Sequence, residues 1–137
     1  MPKIEEIEGI GPVYAEKLRA AGVSTTEELL AVCGGPKGRD EMAEKTGIVG
    51  GHILRWVNHA DLMRIKGIGK QYAELLEAAG VDTVKELRTR NADNLTAKLK
   101  ETNEAKNLAG NTPSLDTVKG WIEEAKTLEP AVRYAGA

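Results

Sequence analysis

The chain has 137 residues, enough for one domain with a real core or for two small lobes. Its 19 basic and 21 acidic side chains give a formal charge of −2, which excludes the basic surplus expected of a dedicated duplex binder. One cysteine, Cys33, excludes an internal disulfide framework and suits a reducing compartment.

Composition favours helices. Phe is absent and aromatics make up 4% of the chain, while Ala, Leu, Glu and Lys abound. No apolar run approaches the roughly 20 residues that a membrane helix needs, and Met1 to Glu6 is no charged-then-apolar leader. The expectation is a cytoplasmic protein of a bacterium or archaeon, with no membrane partner.

In chain order, a short helix from about Ile4 leads into Gly9-Ile10-Gly11, and a second helix covers about Pro12 to Ala21. Pro12 suits a first helical position, where its missing N–H would have been unpaired anyway. Ser24-Thr25-Thr26-Glu27 reads as a capping box, with the Ser24 hydroxyl and the Glu27 carboxylate satisfying open amides of a helix over about 25–32. Gly34-Gly35-Pro36-Lys37-Gly38 reads as a connector. It lacks the Gly-Lys-Ser/Thr ending and the preceding strand of a phosphate loop, although Lys37 and Arg39 remain able to touch an anion. Helices follow over about 39–46, stopped by Gly47, and over 51–62, with Ile53, Trp56, Val57 and Ala60 on one face. His52 and His59 lie two turns apart on that helix, too far to share a metal without a ligand between them, so structural or surface roles are expected for both.

After Gly67-Ile68-Gly69 a helix is expected over about 70–79, then one capped by Asp82 to about Arg90, then one capped by Asn91 or Asp93 to about Lys106. The polar stretch 104–112 reads as mobile. Pro113-Ser114 opens a last helix with Val118, Trp121, Ile122, Ala125 and Leu128 at helical spacing, Pro130 ends it, and 131–137 reads as a loose tail.

The strongest signal is internal repetition. Ile7 to Val23 and Ile65 to Val81 share 12 of 17 aligned positions at a separation of 58 residues. In each copy an apolar helix end runs into Gly-Ile-Gly, whose glycines are free to take backbone angles closed to other residues. A helix follows with a small alanine (Ala15, Ala73) at the closest approach, and Gly22 or Gly80 closes it as a left-handed cap before an inward valine. The later helices with Trp56 and Trp121 also correspond, 65 residues apart. The expected fold is all-α: two helix-hairpin-helix repeats, with their supporting helices, packed as one pseudo-symmetric compact helical domain, the first repeat over 1–62, the second over 63–129, and a tail over 130–137.

The pattern apolar-x-Gly-apolar-Gly-x-x-x-Ala-x-x-Leu-x-x-x-Gly resembles the helix-hairpin-helix motif of DNA repair and recombination proteins. That resemblance implies that hairpin amides and the following helix N-terminus grip a backbone phosphate, in agreement with the affinity of unpaired N–H groups and a positive dipole end for an anion. Pro36 to Arg39, Ala43 to Ile48, Trp56 to Leu62, Arg64 to Gly69, and Trp121-Ile122 with Ala125-Lys126 are similar to a family of uncharacterised bacterial proteins with tandem repeats of this motif, a domain of unknown function.

The two hairpins differ in charge. Glu5, Glu6 and Glu8 surround the first, whereas Arg64, Lys66 and Lys70 flank the second. The phosphate contacts implied by the resemblance are therefore the amides of Gly67, Gly69 and Gln71, with Lys66, Lys70 and Arg64 as charge partners, and Gly9, Gly11 and Val13 are the weaker set. Such contacts hold backbone and read no sequence. The expected function is non-enzymatic binding of DNA or RNA through the second hairpin. The alternative is a protein-interaction or self-assembly scaffold in which the hairpins are contact elements. No catalytic triad, metal cluster, nucleotide loop or cofactor site is readable, and Cys33 reads as a buried thiol rather than a nucleophile.

Overall fold

The computed structural model describes residues 2–134, so Met1 and 135–137, the end of the expected tail, lie outside the described residues. Among these the chain is all-α: eight helices, one short 3₁₀ turn, and no strand beyond an isolated antiparallel bridge between Lys3 and Thr25. It divides into two units, Met1–Asp61 with Ala131–Ala137, and Leu62–Pro130.

Unit 1 begins with the 3₁₀ turn Ile4–Glu6, followed by α1 (Pro12–Ala20), α2 (Thr26–Cys33), α3 (Pro36–Thr46) and α4 (Gly50–Leu62), whose last residue already belongs to unit 2. Local chemistry sets these boundaries. At the end of α1 the Gly22 amide donates to the Arg19 carbonyl and the Val23 amide to the Leu18 carbonyl, each at 2.9 Å, a geometry that requires φ +92° at Gly22 and turns Val23 inward. The capping box of α2 falls one residue later than Ser24 and Glu27 suggest. Thr25 is the cap; its hydroxyl accepts the Glu28 amide at 3.1 Å, and the Glu28 carboxylate accepts the amides of Ser24 and Thr25 at 3.0 and 3.1 Å. Thr25 wins because the bridge to Lys3, with Ile4 N–H donating to the Ser24 carbonyl, holds Thr25 extended.

The glycine stretch 34–38 is only half a connector. Pro36 starts α3, so Lys37, Gly38 and Arg39 are helical. Gly38 is required by packing: a Cβ there would run into the Val32 carbonyl oxygen of α2. Arg39 is not offered to an external anion either. Its guanidinium is buried and caps the end of α2, donating through Nη1 to the carbonyls of Cys33 (3.2 Å) and Gly34 (2.9 Å) and through Nη2 to the Arg133 carbonyl (2.6 Å).

Ala131–Tyr134 is accordingly no loose tail. The Arg133 amide donates to the Gly34 carbonyl at 2.7 Å, Val132 is buried, the Tyr134 hydroxyl lies 3.4 Å from Asn58 Oδ1, and the Tyr134 ring stacks under Arg39 at 5.9 Å. Glycine at 34 and 35 makes room for this strap: a Cβ at Gly34 would sit 2.6 Å from the Ala131 carbonyl oxygen, and one at Gly35 2.8 Å from Arg133 Nη2. Cys33, fully buried beside it, has its thiol pushed up to about 11 by burial, against the opposing pull of the Arg39 guanidinium. That places it among inert structural thiols.

Unit 2 contains α5 (Lys70–Ala78), α6 (Val84–Leu87), α7 (Ala92–Lys106) and α8 (Leu115–Thr127) around a core that includes Leu62, Ile65, Ile68, Leu75, Leu76, Leu99, Val118 and Trp121. Thr83, not Asp82, caps α6, its hydroxyl accepting the Glu86 amide at 3.3 Å, and α6 is a single turn. Asn91 and Ser114 cap α7 and α8. The stretch after α7 is held rather than mobile. Asn107 turns it with φ +52°, and the Asn103 side chain accepts the amides of Leu108 (2.8 Å) and Ala109 (2.9 Å) while donating to the Ala109 carbonyl (2.9 Å). Asn103 thus stands in for backbone partners that the ended helix no longer supplies.

Candidate functional site

Each unit builds its Gly-Ile-Gly turn in the same way. In unit 2 the Ile68 amide donates to the Ile65 carbonyl at 3.1 Å and buries the isoleucine, while Gly67 takes φ +93°. In unit 1 the Ile10 amide donates to the Ile7 carbonyl at 3.2 Å, and Gly9 takes φ +94°. Only the first glycine of each turn needs that freedom. Gly11 and Gly69 are extended, with φ −86° and −103°, and serve as helix N-caps.

Behind each first glycine stands a tryptophan. A Cβ on Gly9 would lie 3.3 Å from Trp56 Nε1, and one on Gly67 3.4 Å from Trp121 Nε1. The hairpin helix braces each indole with a tyrosine: Tyr14 against Trp56 at 5.0 Å between centroids, Tyr72 against Trp121 at 5.3 Å, both tilted by 58°. Trp56 and Trp121 are readable in the sequence as inward-facing residues, but their place against the turn is not, because each lies 47 or 54 positions from its glycine. In unit 1 the exposed His52 ring joins the group, 5.9 Å from both Tyr14 and Trp56, whereas His59 is buried.

The outer face of the second turn is open. Gly67, Gly69, Lys66, Lys70 and Gln71 are exposed, and a Cβ on Gly69 would meet nothing within 4 Å. Intrahelical bonding in α5 begins with the Ala73 amide on the Gly69 carbonyl at 2.9 Å. Among the described residues no acceptor within the chain takes the amides of Gly67, Gly69 or Gln71. The Gln71 side chain reaches toward the Gly110 amide at 3.5 Å, and Arg64 is half-buried, with Nη2 donating to the Glu129 carbonyl at 2.8 Å. Of the expected charge partners, Lys66 and Lys70 stand at the turn, while Arg64 also ties it to the end of α8.

One neighbour is absent from the expected set. Glu124 of α8, one turn beyond Trp121, places both carboxylate oxygens 3.3 Å from the Lys66 amide. Nothing in the local sequence of the turn signals this residue.

The first turn offers less to an anion. Pro12 removes one amide, and Val13, where the second turn has Gln71, is 66% exposed. Its acids are partly committed: Glu6 accepts the Lys3 amide at 2.8 Å, and the Arg19 guanidinium paired with Glu5 holds that carboxyl below its ordinary range. Among the described residues no group of three or more His, Cys, Asp or Glu side chains is placed to hold a metal, and no helix is long and apolar enough to cross a membrane.

A family model matches residues 8–128, nearly the whole chain. The chain belongs to the family described as Domain of unknown function (DUF4332). The DUF4332 match takes in both glycine turns, both tryptophans and Glu124, and stops short of the strap at 131–134. No curated protein and no solved structure matches the chain.

Proposed function

We propose that the two glycine turns are helix-hairpin-helix repeats and that the protein is a non-enzymatic, cytoplasmic binding module that holds a nucleic-acid backbone through the second of them, without reading its sequence. The observation that carries this reading is the exposed set of amides at Gly67, Gly69 and Gln71, without acceptors among the described residues, flanked by Lys66 and Lys70. Such amides at the start of a helix suit one phosphate, and two lysines supply local attraction in a chain of net charge −2. Unit 2 as a whole carries eleven basic and eleven acidic side chains, so its net charge adds no attraction to that of the two lysines.

The test is binding of a short generic duplex and its single strand, followed by fluorescence anisotropy at increasing salt. Affinity is expected to fall steeply, with a slope near that of two phosphate contacts, about −2 in the log of the association constant against log salt. Lys66→Glu combined with Lys70→Glu is expected to remove binding, a loss of about 100-fold or more. Unchanged affinity in the double variant, with an unchanged melting temperature, would reject the reading.

A second reading rests on Val13. A valine 66% exposed at the first turn, next to a proline with no amide to offer, suits a protein surface better than a phosphate. Light scattering at low and high salt checks its self-assembly form, and a strictly monomeric particle at high concentration removes that form.

A further inference from the structure

The amide of Lys66 is not free for a guest, because the chain supplies its own anion there. Both oxygens of Glu124 lie 3.3 Å from that nitrogen, delivered by the face of α8 that also sets Trp121 against Gly67. The distance is at the long end for an amide–carboxylate contact, so the carboxylate is seated without being tightly locked. Sixty-five positions earlier, where unit 1 carries Trp56 in place of Trp121, the residue corresponding to Glu124 is His59, so unit 1 puts no carboxylate at this place on its helix.

Three peptide units separate Lys66 from Gly69, at most about 11 Å along the chain and less in a turn closed by the bond from Ile68 to Ile65. The Glu124 charge is therefore within roughly one screening length of any phosphate held by Gly67, Gly69 and Gln71. We propose that Glu124 is a built-in competitor for the anion at the second hairpin, seated on the Lys66 amide, which sets a low affinity for a phosphodiester and yields that amide when one binds. This rests on the nucleic-acid reading above and adds its regulation: the hairpin discriminates against weakly charged or isolated anions, which cannot displace the carboxylate, in favour of a polyanion that also engages Lys66 and Lys70.

Glu124→Gln keeps an oxygen able to accept the Lys66 amide while deleting the charge, so it separates competition from bracing. The full-length chain and this variant are titrated with the same labelled generic duplex. The variant is expected to bind about fivefold more tightly at ~50 mM salt, with the gap closing toward ~300 mM as screening takes over. If the unaltered chain binds and the variant binds no tighter, the competitor role is overturned while the hairpin reading stands. If neither binds, both fall. Should the variant fold poorly, the Lys66 amide resonance of the unaltered chain carries the test: it moves on adding duplex if the carboxylate is displaced, and a resonance that stays in place while Gly69 and Gln71 respond overturns the proposal.

Discussion

Trp121→Ala is expected to lower the stability of unit 2 by about 3–5 kcal/mol, the usual cost of deleting a buried aromatic. The indole is 4% exposed, lies against Tyr72, and backs the glycine that pivots the turn. Two losses therefore coincide: the cavity left by the ring, and its contact with Tyr72 of the hairpin helix. Set against total stabilities of about 5–15 kcal/mol, that is enough to leave the unit partly unfolded at room temperature. Trp121→Phe restores most of the volume and is expected to cost about 1–2 kcal/mol. Urea unfolding read by circular dichroism decides the matter, and a cost below about 1 kcal/mol for the alanine variant would mean that the ring is a passenger.

Arg39→Ala is expected to cost about 3 kcal/mol through a different mechanism. Three carbonyls, those of Cys33, Gly34 and Arg133, lose one charged donor, and two of them close α2, where no further turn of helix can satisfy them. Hydrogen bonds to a charged group contribute about 1.5–3 kcal/mol each, with strong overlap when one guanidinium serves all three. Arg39→Lys is expected to rescue little, because an ammonium cannot span carbonyls on both α2 and the strap or stack on Tyr134. Exchange of the Arg133 amide, which bonds to the Gly34 carbonyl, is expected to accelerate in both variants. Full rescue by lysine would show that only charge matters there.

The helical class, the left-handed caps at Gly22 and Gly80 and the inward turn of Ile10 and Ile68 are all legible in the sequence, because each depends on residues within one or two helical turns. Errors cluster where a distant partner decides. Thr25 takes the cap from Ser24 because residues 2–4 pair with 24–26; Gly38 is helical because α2 needs close approach; the strap is ordered because Arg39, 94 positions before Arg133, holds it. Around the candidate site, Gly67, Gly69, Gln71, Lys66 and Lys70 follow from the motif, whereas Glu124 reaches the turn from 58 positions away. A pattern of glycines and apolar residues encodes the turn's shape and carries nothing about which carboxylate will neighbour it.

The seated strap has an effect on unit 2 that no contact of its own supplies. Leu62–Pro130 leaves unit 1 after Asp61 and is caught again at Ala131, so whenever unit 1 stays folded, a denatured unit 2 is a closed ring of chain rather than a free end. Ring closure trims the freedom of the disordered state, which raises the folded fraction by acting on the competitor of the native form. Residues 131–134 thereby tie the persistence of one unit to the integrity of the other.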